Sequence, residues 1–447
     1  MEEILLETGC GTVRGWESER CRQFLGLRYA YAARFEYAVP EEHWEGVYDA
    51  TQFGSCCPQF RDYHTHMESP MRRFYKKEFR TGLVYTSDED CLHMNIYAPK
   101  EGKNCPVVLF FHGGGFDSGM NFEQAFDGSG LAEKGVVAVF ANYRVGVLGY
   151  FCHEELKRLH GRDGNFGLDD QLCAIHWVKA HIGDFGGDGD NITIMGQSAG
   201  AIAVQLLCLN PENEGLFRHA VMLSGGGLFP KAGQPRRAED THAYWEQYMH
   251  LAGCRTLEQL RRASPEALFD ASEAIRKIRR DNVNNCMPVI DGKLIPAPVS
   301  ELIRKPLKID YWISYTNSDM FGPILAYVGN VFGKANGAYL CFFDLDAPGD
   351  DNLAFHSADL RYLFSTLEGS WRPYRARDYE ASDELRGYLV NFARCGDPNG
   401  PGLPRWDKAA PGPRAKALCI TPEGTKMGKP AYGRIARNYL RRPDPIA

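Results

Sequence analysis

Residues Gly196-Gln197-Ser198-Ala199-Gly200 place a serine two positions from a glycine on each side. A β-branched run, Asn191–Met195, precedes them, and a small-residue helix start, Ala201-Ile202-Ala203-Val204, follows. A serine on such a strand–turn–helix junction is held where its hydroxyl can attack an electrophile, and flanking glycines leave room where side chains would collide. The competing reading makes Ser198 a helix N-cap, whose hydroxyl would accept a backbone N–H bond. A second motif decides between them. The apolar run Pro106–Phe111 leads into His112-Gly113-Gly114-Gly115-Phe116, and consecutive glycines let backbone N–H groups turn toward a ligand without steric cost. Attack on an acyl carbon leaves negative charge on the former carbonyl oxygen, and each preorganised N–H donor lowers that barrier by about 3–4 kcal/mol. The N–H groups of Gly114, Gly115 and Ala199 are the expected donors, with His112 read as a structural anchor of the loop. A phosphate-binding reading fails, because the chain contains no G-x-x-x-x-G-K-[ST], and Gly9-Cys10-Gly11 does not extend to G-x-G-x-x-G.

A serine nucleophile needs a base and an acid, which follow it in the order Ser, acid, His on sheets that carry this turn. Four histidines lie after Ser198. His219 opens a strand-like run, and His242 and His250 fall in a polar, helix-patterned stretch. His356 stands at the end of a Gly/Pro/Asp-rich loop (Ala347–Ala354) just past the last strong strand, where catalytic groups gather on parallel sheets. His356 is therefore the expected base, and activity should fall as pH drops below about 6–7, where an ordinary imidazole protonates. Asp319 is the first carboxylate after the preceding strand, Tyr311–Tyr315, and is the expected acid. One helix (Phe321–Phe332) and one strand fit between Asp319 and His356. Asp350 and Asp351 remain rivals, disfavoured by their closeness to His356 along the loop.

The elements that must hold these groups read as alternating strands and helices. The strongest strand candidates are Pro106–Phe111, Val136–Tyr143, Asn191–Met195, His219–Leu223, Tyr311–Tyr315 and Ala338–Phe343. Each is nearly all apolar, as in a parallel sheet covered on both faces. Leu168–Ile182 reads as an amphipathic helix, with Asp169 and Asp170 placed to favour its dipole. The stretch from about 230 to 285 is polar and helical in pattern between two strands, so it reads as a cap inserted in one domain spanning residues 1–447. Within it, Ile275–Arg280 (IRKIRR) is locally basic and reads as a solvated helix face.

Composition bounds the rest. The chain has 447 residues, 51 Lys plus Arg against 57 Asp plus Glu, and a net charge of −6, which argues against nucleic acid as partner. Hydrophobic residues at 44% supply a large core and rule out global disorder. No apolar run approaches the ~20 residues needed to span a bilayer. The N-terminus, MEEILLETGCG, carries acidic residues where a signal peptide would be basic, so the expectation is a cytoplasmic protein that does not engage membranes. Fourteen cysteines without a Cys-x-x-Cys fit mostly buried free thiols and give no metal signature. No metal or cofactor is expected, and the sequence is silent on oligomeric state.

These motifs, taken together, resemble the type-B carboxylesterases, a family that includes cholinesterases and bacterial para-nitrobenzyl esterases. The resemblance covers most of the chain and is nearest in pattern to bacterial members. It rests on Phe24-Leu25-Gly26-Leu27-Arg28-Tyr29, Asp49-Ala50-Thr51-Gln52-Phe53-Gly54 with Cys57-Pro58-Gln59, and Glu89-Asp90-Cys91-Leu92 with Asn95-Ile96-Tyr97. It continues through the Gly113–Phe116 loop, Asn142-Tyr143-Arg144, Gly164-Asn165-Phe166-Gly167-Leu168, Phe185-Gly186-Gly187-Asp188 and the Ser198 turn. Pro288-Val289-Ile290-Asp291-Gly292 and His356-Ser357-Ala358-Asp359-Leu360 complete it. The resemblance implies an α/β-hydrolase fold, with a central mostly parallel sheet, helices on both faces and a helical cap. It also implies cofactor-free hydrolysis of small-molecule esters, of short to medium acyl chain, with Ser198, Asp319 and His356 at the triad positions. Glu89 matches a structural salt-bridge position, with Arg34 its expected partner. Cys57 and Cys91 match positions that are disulfide-bonded in some exported relatives.

Three departures matter. Asp319 stands where the family usually has Glu. Gln197 stands where Glu is common, which removes a negative charge and weakens any preference for cationic esters. The segment between acid and base is short, which implies an open entrance. Two other readings stay possible: a thioesterase or amidase with the same triad, and a non-catalytic binding module of the neuroligin kind. The second predicts damage at the serine, base or glycine loop, and all three are intact.

Overall fold

Strands that are nearly all apolar are satisfied by burial on both faces, and the centre of the sheet is built from such strands. In the computed structural model, residues 1–63, 69–225, 234–279, 285–319, 329, 331–333, 337–409 and 415–430 are described. The principal strands are β1 (Glu2–Thr8), β2 (Gly11–Glu17), β3 (Arg22–Arg28), β4 (His93–Ala98), β5 (Cys105–Phe111) and β6 (Val137–Ala141). They continue with β7 (Gly187–Gln197), β8 (His219–Leu223), β9 (Asp310–Thr316), β10 (Ala338–Phe343), β11 (Ala417–Thr421) and β12 (Gly424–Gly428). The sheet order is β1-β2-β3-β4-β6-β5-β7-β8-β9-β10-β11-β12, with Val47–Asp49 added beside β2. From β6 to β11 every pairing is parallel, and antiparallel strands close both edges. The α/β-hydrolase fold anticipated from the motifs is the fold found.

All six anticipated strands form, two of them with the anticipated limits (β8 and β10). The run expected over Val136–Tyr143 ends at Ala141, because Asn142 turns its side chain to Asn121 and Ser55 and Arg144 turns to Asp170. Alternate residues of each central strand enter two separate cores. Val107, Leu109 and Phe111 of β5 join Ile192, Ile194 and Ile313 on one face. Val108 and Phe110 join Met195 and Trp312 on the other.

The helices that matter here are α1 (Pro70–Phe79), α2 (Phe166–His181), α3 (Ala199–Leu207), α4 (Glu239–Leu251), α5 (Leu257–Arg262), α6 (Pro265–Ile278) and α7 (Ala376–Cys395). α2 and α3 pack on the first core and α7 on the second. The helix expected at Leu168–Ile182 is α2, which is mostly buried and shows solvent a stripe through His176 and Ala180. Its Asp170 does more than complement the dipole. With Arg144 it forms a fully buried bidentate pair, Nε to Oδ2 at 2.9 Å and Nη2 to Oδ1 at 2.6 Å.

Helices α4, α5 and α6 occupy the stretch between β8 and β9, and Trp245 and Leu268 sink into the first core. The anticipated pair forms as well: Arg34 holds Glu89 in a two-pronged contact (Nε to Oε2, 2.9 Å) while its Nη1 caps the Leu260 and Ala263 carbonyls at the α5–α6 junction. The basic run at the end of α6 is more than a solvated face. Arg276 reaches Asp117 at 2.9 Å and lies over the Phe60 ring at 4.2 Å. No disulfide joins any of the fourteen cysteines, Cys57 and Cys91 included. Among the described residues no helix is long and apolar enough to cross a membrane. Most of the expected Phe321–Phe332 helix lies outside the described residues.

Candidate active site

Ser198 sits between the end of β7 and the start of α3 at φ 55°, ψ −119°, a conformation that costs a non-glycine residue about 1–3 kcal/mol. The surroundings impose it. The Ser198 N–H donates to Leu223 O on the neighbouring strand at 2.8 Å, and its carbonyl accepts from Ile202 N at 3.0 Å. A Cβ on Gly196 would stand 2.4 Å from the Gly200 backbone, and one on Gly200 would stand 2.1 Å from the Phe111 carbonyl oxygen. The two glycines of G-x-S-x-G are therefore required by contact with each other and with β5. Ser198 precedes α3 but makes no side-chain capping bond, so the N-cap reading does not hold.

The glycine loop is wedged against this turn. A Cβ on Gly113 would lie 2.9 Å from Ser198 Cβ and 2.5 Å from Gln197 Oε1. Gly114 (φ 117°) and Gly115 (φ 66°) use backbone angles that favour glycine. The loop is tied down by Asp117 N and Ser118 N, which donate to Gly114 O at 3.2 Å, and by Gly146 N, which donates to Phe116 O at 2.7 Å. As the first residue of α3, Ala199 has an N–H without a helical acceptor. His112 anchors the loop as anticipated: its Nδ1–H donates to Gly113 O at 2.8 Å, and its ring stacks on Tyr143 at 4.4 Å. Burial pushes its pKa down to about 4, so it is neutral at physiological pH.

His356 and Asp319 come together as the spacing predicted, His356 Nδ1 lying 3.0 Å from Asp319 Oδ2. The Asp319 side chain is fully buried and the imidazole a quarter exposed. Burial alone would lower the His356 pKa, but the Asp319 charge and hydrogen bond, with a contribution from Asp359, leave it raised above the ordinary value. Asp350, the rival acid, is committed elsewhere: Arg372 Nη1 and Nη2 hold its two oxygens at 3.0 and 2.9 Å. Asp351 is exposed.

Several contacts at the site escaped the sequence reading. The Gln197 amide approaches His356 Nε2 at 3.1 Å. Because Nε2 accepts from that amide, the ring proton belongs on Nδ1, facing Asp319. Tyr75 of α1 donates to the His356 carbonyl at 3.0 Å. Asp359, one helical turn beyond His356, is buried, and neither of its oxygens makes a hydrogen bond among the described residues. Burial, opposed by His356 and reinforced by Asp319, pushes its carboxyl up to about 7. The H-x-x-D spacing was the one signal that could have singled it out.

Arg372 fixes the loop that carries His356. Its guanidinium spans Glu78 of α1 (Nε to Oε2, 3.0 Å; Nη2 to Oε1, 2.8 Å), Asp350 and the Pro348 carbonyl (2.8 Å), and both Arg372 and Glu78 side chains are fully buried. Removing Glu78 strips its carboxylate from the buried guanidinium and leaves Asp350 to balance the charge. Glu78→Ala should therefore lower unfolding stability by about 3–5 kcal/mol, measured by urea denaturation. A change under about 1 kcal/mol would mean that the network carries little stability.

A family model described as the carboxylesterase family matches residues 2–335 and 322–434. The chain belongs to the carboxylesterase family. Membership makes it a carboxylic ester hydrolase by class. It is 33% identical over 313 residues to the para-nitrobenzyl esterase of Bacillus subtilis (strain 168), a match covering 68% of this chain and 60% of that protein. It is 34% identical over 482 residues to the bile salt-activated lipase of Mus musculus, covering 84% of this carboxylesterase and 75% of the relative. A solved para-nitrobenzyl esterase structure superposes with a TM-score of 0.81 at 23% identity, over 98% of this chain and 99% of that one, and so agrees in fold.

Proposed function

We propose that this carboxylesterase cleaves esters of short to medium acyl chain through Ser198, His356 and Asp319, by way of an acyl-enzyme. The observation that carries the reading is the strained Ser198 turn, whose preceding residue Gln197 meets His356 Nε2 at 3.1 Å while a buried carboxylate holds the far nitrogen of that imidazole at 3.0 Å. In the first half-reaction Ser198 Oγ attacks the ester carbonyl and gives its proton to His356 Nε2. The Gln197 amide, which faces that nitrogen at rest, must yield to the serine hydroxyl. The new oxyanion is met by the N–H groups of Gly114, Gly115 and Ala199. When the tetrahedral adduct collapses, the alkoxide leaves with the proton from His356. Water then enters under the same base and releases the acid and Ser198. Asp319 keeps the ring oriented and stabilises the imidazolium.

Turnover of para-nitrophenyl acetate, butyrate and octanoate tests this reading, alongside a matched thioester and anilide. Ester turnover with stoichiometric labelling by a fluorophosphonate supports it, and the chain-length profile sizes the acyl pocket. A folded protein that neither turns over any substrate nor takes the label is not this enzyme.

The raised His356 pKa sets the pH dependence. Only neutral imidazole can take the serine proton, so kcat/KM should fall on acidification, with a midpoint above that of an ordinary histidine. Gln197→Glu places a carboxylate beside Nε2, favours the imidazolium and should move the midpoint up. Asp359→Asn removes an acidic neighbour and should move it down. A pH profile of kcat/KM for the three proteins checks both signs, and midpoints that coincide would remove His356 as the titrating base.

A further inference from the structure

Away from this site, three segments converge on one point. Cys152 follows the short helix Gly146–Tyr150, Asp163 lies in the loop before α2, and His242 is in the first turns of α4. A thiol sulfur, a carboxylate oxygen and an imidazole nitrogen from these residues all lie within 4.8 Å of one another. We propose that Cys152, Asp163 and His242 form a binding site for a zinc-class divalent ion that staples α4 to the body of the protein.

The buried carboxylate carries the inference. Asp163 is 1% exposed, and neither of its oxygens makes a hydrogen bond among the described residues; His242 Nε2 makes none either. Ionised carboxylates are not left this way in a protein interior unless something compensates the charge. His242 Nε2 does approach Asp163 Oδ2, at 3.3 Å. That is long for a charge-assisted bond, and it matches the edge of about 3.3–3.4 Å between two ligands each ~2.0–2.1 Å from a tetrahedral ion. The Cys152 thiol has only a distant acceptor, Ala238 O at 3.9 Å, and the Thr241 hydroxyl beside it. Neighbouring His153 is committed to Glu246, Nε2 to Oε1 at 2.7 Å, and does not compete as a ligand.

The donor set selects the ion. Sulfur and imidazole nitrogen disfavour calcium and magnesium, which take oxygen ligands, and suit zinc or cobalt(II). Binding replaces the thiol proton: Cys152–SH and the dication give the metal thiolate and one free H⁺. Thiolate and carboxylate then neutralise the dication, so the buried site carries no net charge. A fourth position is left to water, on the His242 side, where the imidazole is one-fifth exposed. The sequence reading found no metal signature because the ligands come from separate segments and no Cys-x-x-Cys or His pair marks them. The proposal is independent of the esterase chemistry.

Cobalt(II) added to chelator-treated protein is the test. One equivalent should bind with a thiolate-to-cobalt charge-transfer band and tetrahedral d–d absorption, and zinc should displace it. Cys152→Ser should abolish the charge-transfer band, whereas Cys395→Ser, which removes the exposed thiol, should leave it intact. His242→Ala and the isosteric Asp163→Asn should each weaken binding at least ~100-fold, and zinc should raise Tm in the wild type but not in Cys152→Ser. Ester turnover and circular dichroism confirm that each variant is folded. Absence of saturable one-to-one uptake by the wild type, or a band that survives Cys152→Ser, overturns the proposal.

Discussion

Ser198→Ala should lower kcat for para-nitrophenyl butyrate by about 10⁵–10⁶-fold, the scale on which a lone triad serine acts, while leaving the fold intact. The two halves of this expectation have different origins. Turnover goes because, in the proposed mechanism, Oγ is the atom that forms the acyl bond. The fold survives because the Ser198 side chain caps nothing; its backbone bonds to Leu223 and Ile202 are made by any residue. Alanine keeps the strained φ of 55°, whereas Ser198→Gly should relieve it and raise stability by about 1 kcal/mol or more while being as inactive. Activity and thermal unfolding of both variants check this together. Either variant keeping a tenth of wild-type turnover would remove Ser198 from the chemistry, and a glycine variant less stable than the alanine one would remove the strain.

The sheet was legible because its central strands are nearly all apolar, a pattern with few alternatives once glycine-rich turns follow it. The serine turn, its glycines and the glycine loop beside it were legible for a related reason. They form continuous motifs whose spacing is dictated by contacts such as Gly200 against Phe111. His356 and Asp319 were legible by order along the chain, since strands β9 and β10 both deliver loops to the same sheet edge.

What stayed hidden are groups whose partners lie far away in sequence. Nothing around Glu78 announces Arg372, and nothing around Asp350 shows that this same arginine holds it. The rivalry between Asp350 and Asp319 could therefore be resolved only in three dimensions. Asp170 of α2 is a case of the same kind: it read as a carboxylate complementing the helix dipole, yet Arg144 accompanies it into the core. Arg276 looked like part of a solvated run until Asp117 supplied its partner.

Asp319→Asn should lower kcat by about 10⁴-fold with the fold intact. The amide is isosteric, so packing is kept, but it loses the charge that stabilises the imidazolium. It can also turn an N–H toward Nδ1 and favour the tautomer whose proton sits on Nε2, where it blocks proton acceptance from Ser198. A second signature separates this from general damage. Asp319 is the main influence raising the His356 pKa against burial, so the residual activity of Asp319→Asn should titrate at lower pH than the wild type. Its neighbours give little cover. Asp350 is held by Arg372, and Asp359, whose carboxyl burial pushes up, forms no hydrogen bond to the ring. Asp319→Glu restores the residue usual in the family and keeps the charge, so it should recover a large part of the lost rate, whereas the asparagine cannot. A loss under tenfold in Asp319→Asn, or an acid limb that moves to higher pH, would transfer the orienting role to Asp359. The double variant Asp319→Asn/Asp359→Asn would then be the one that loses four orders of magnitude.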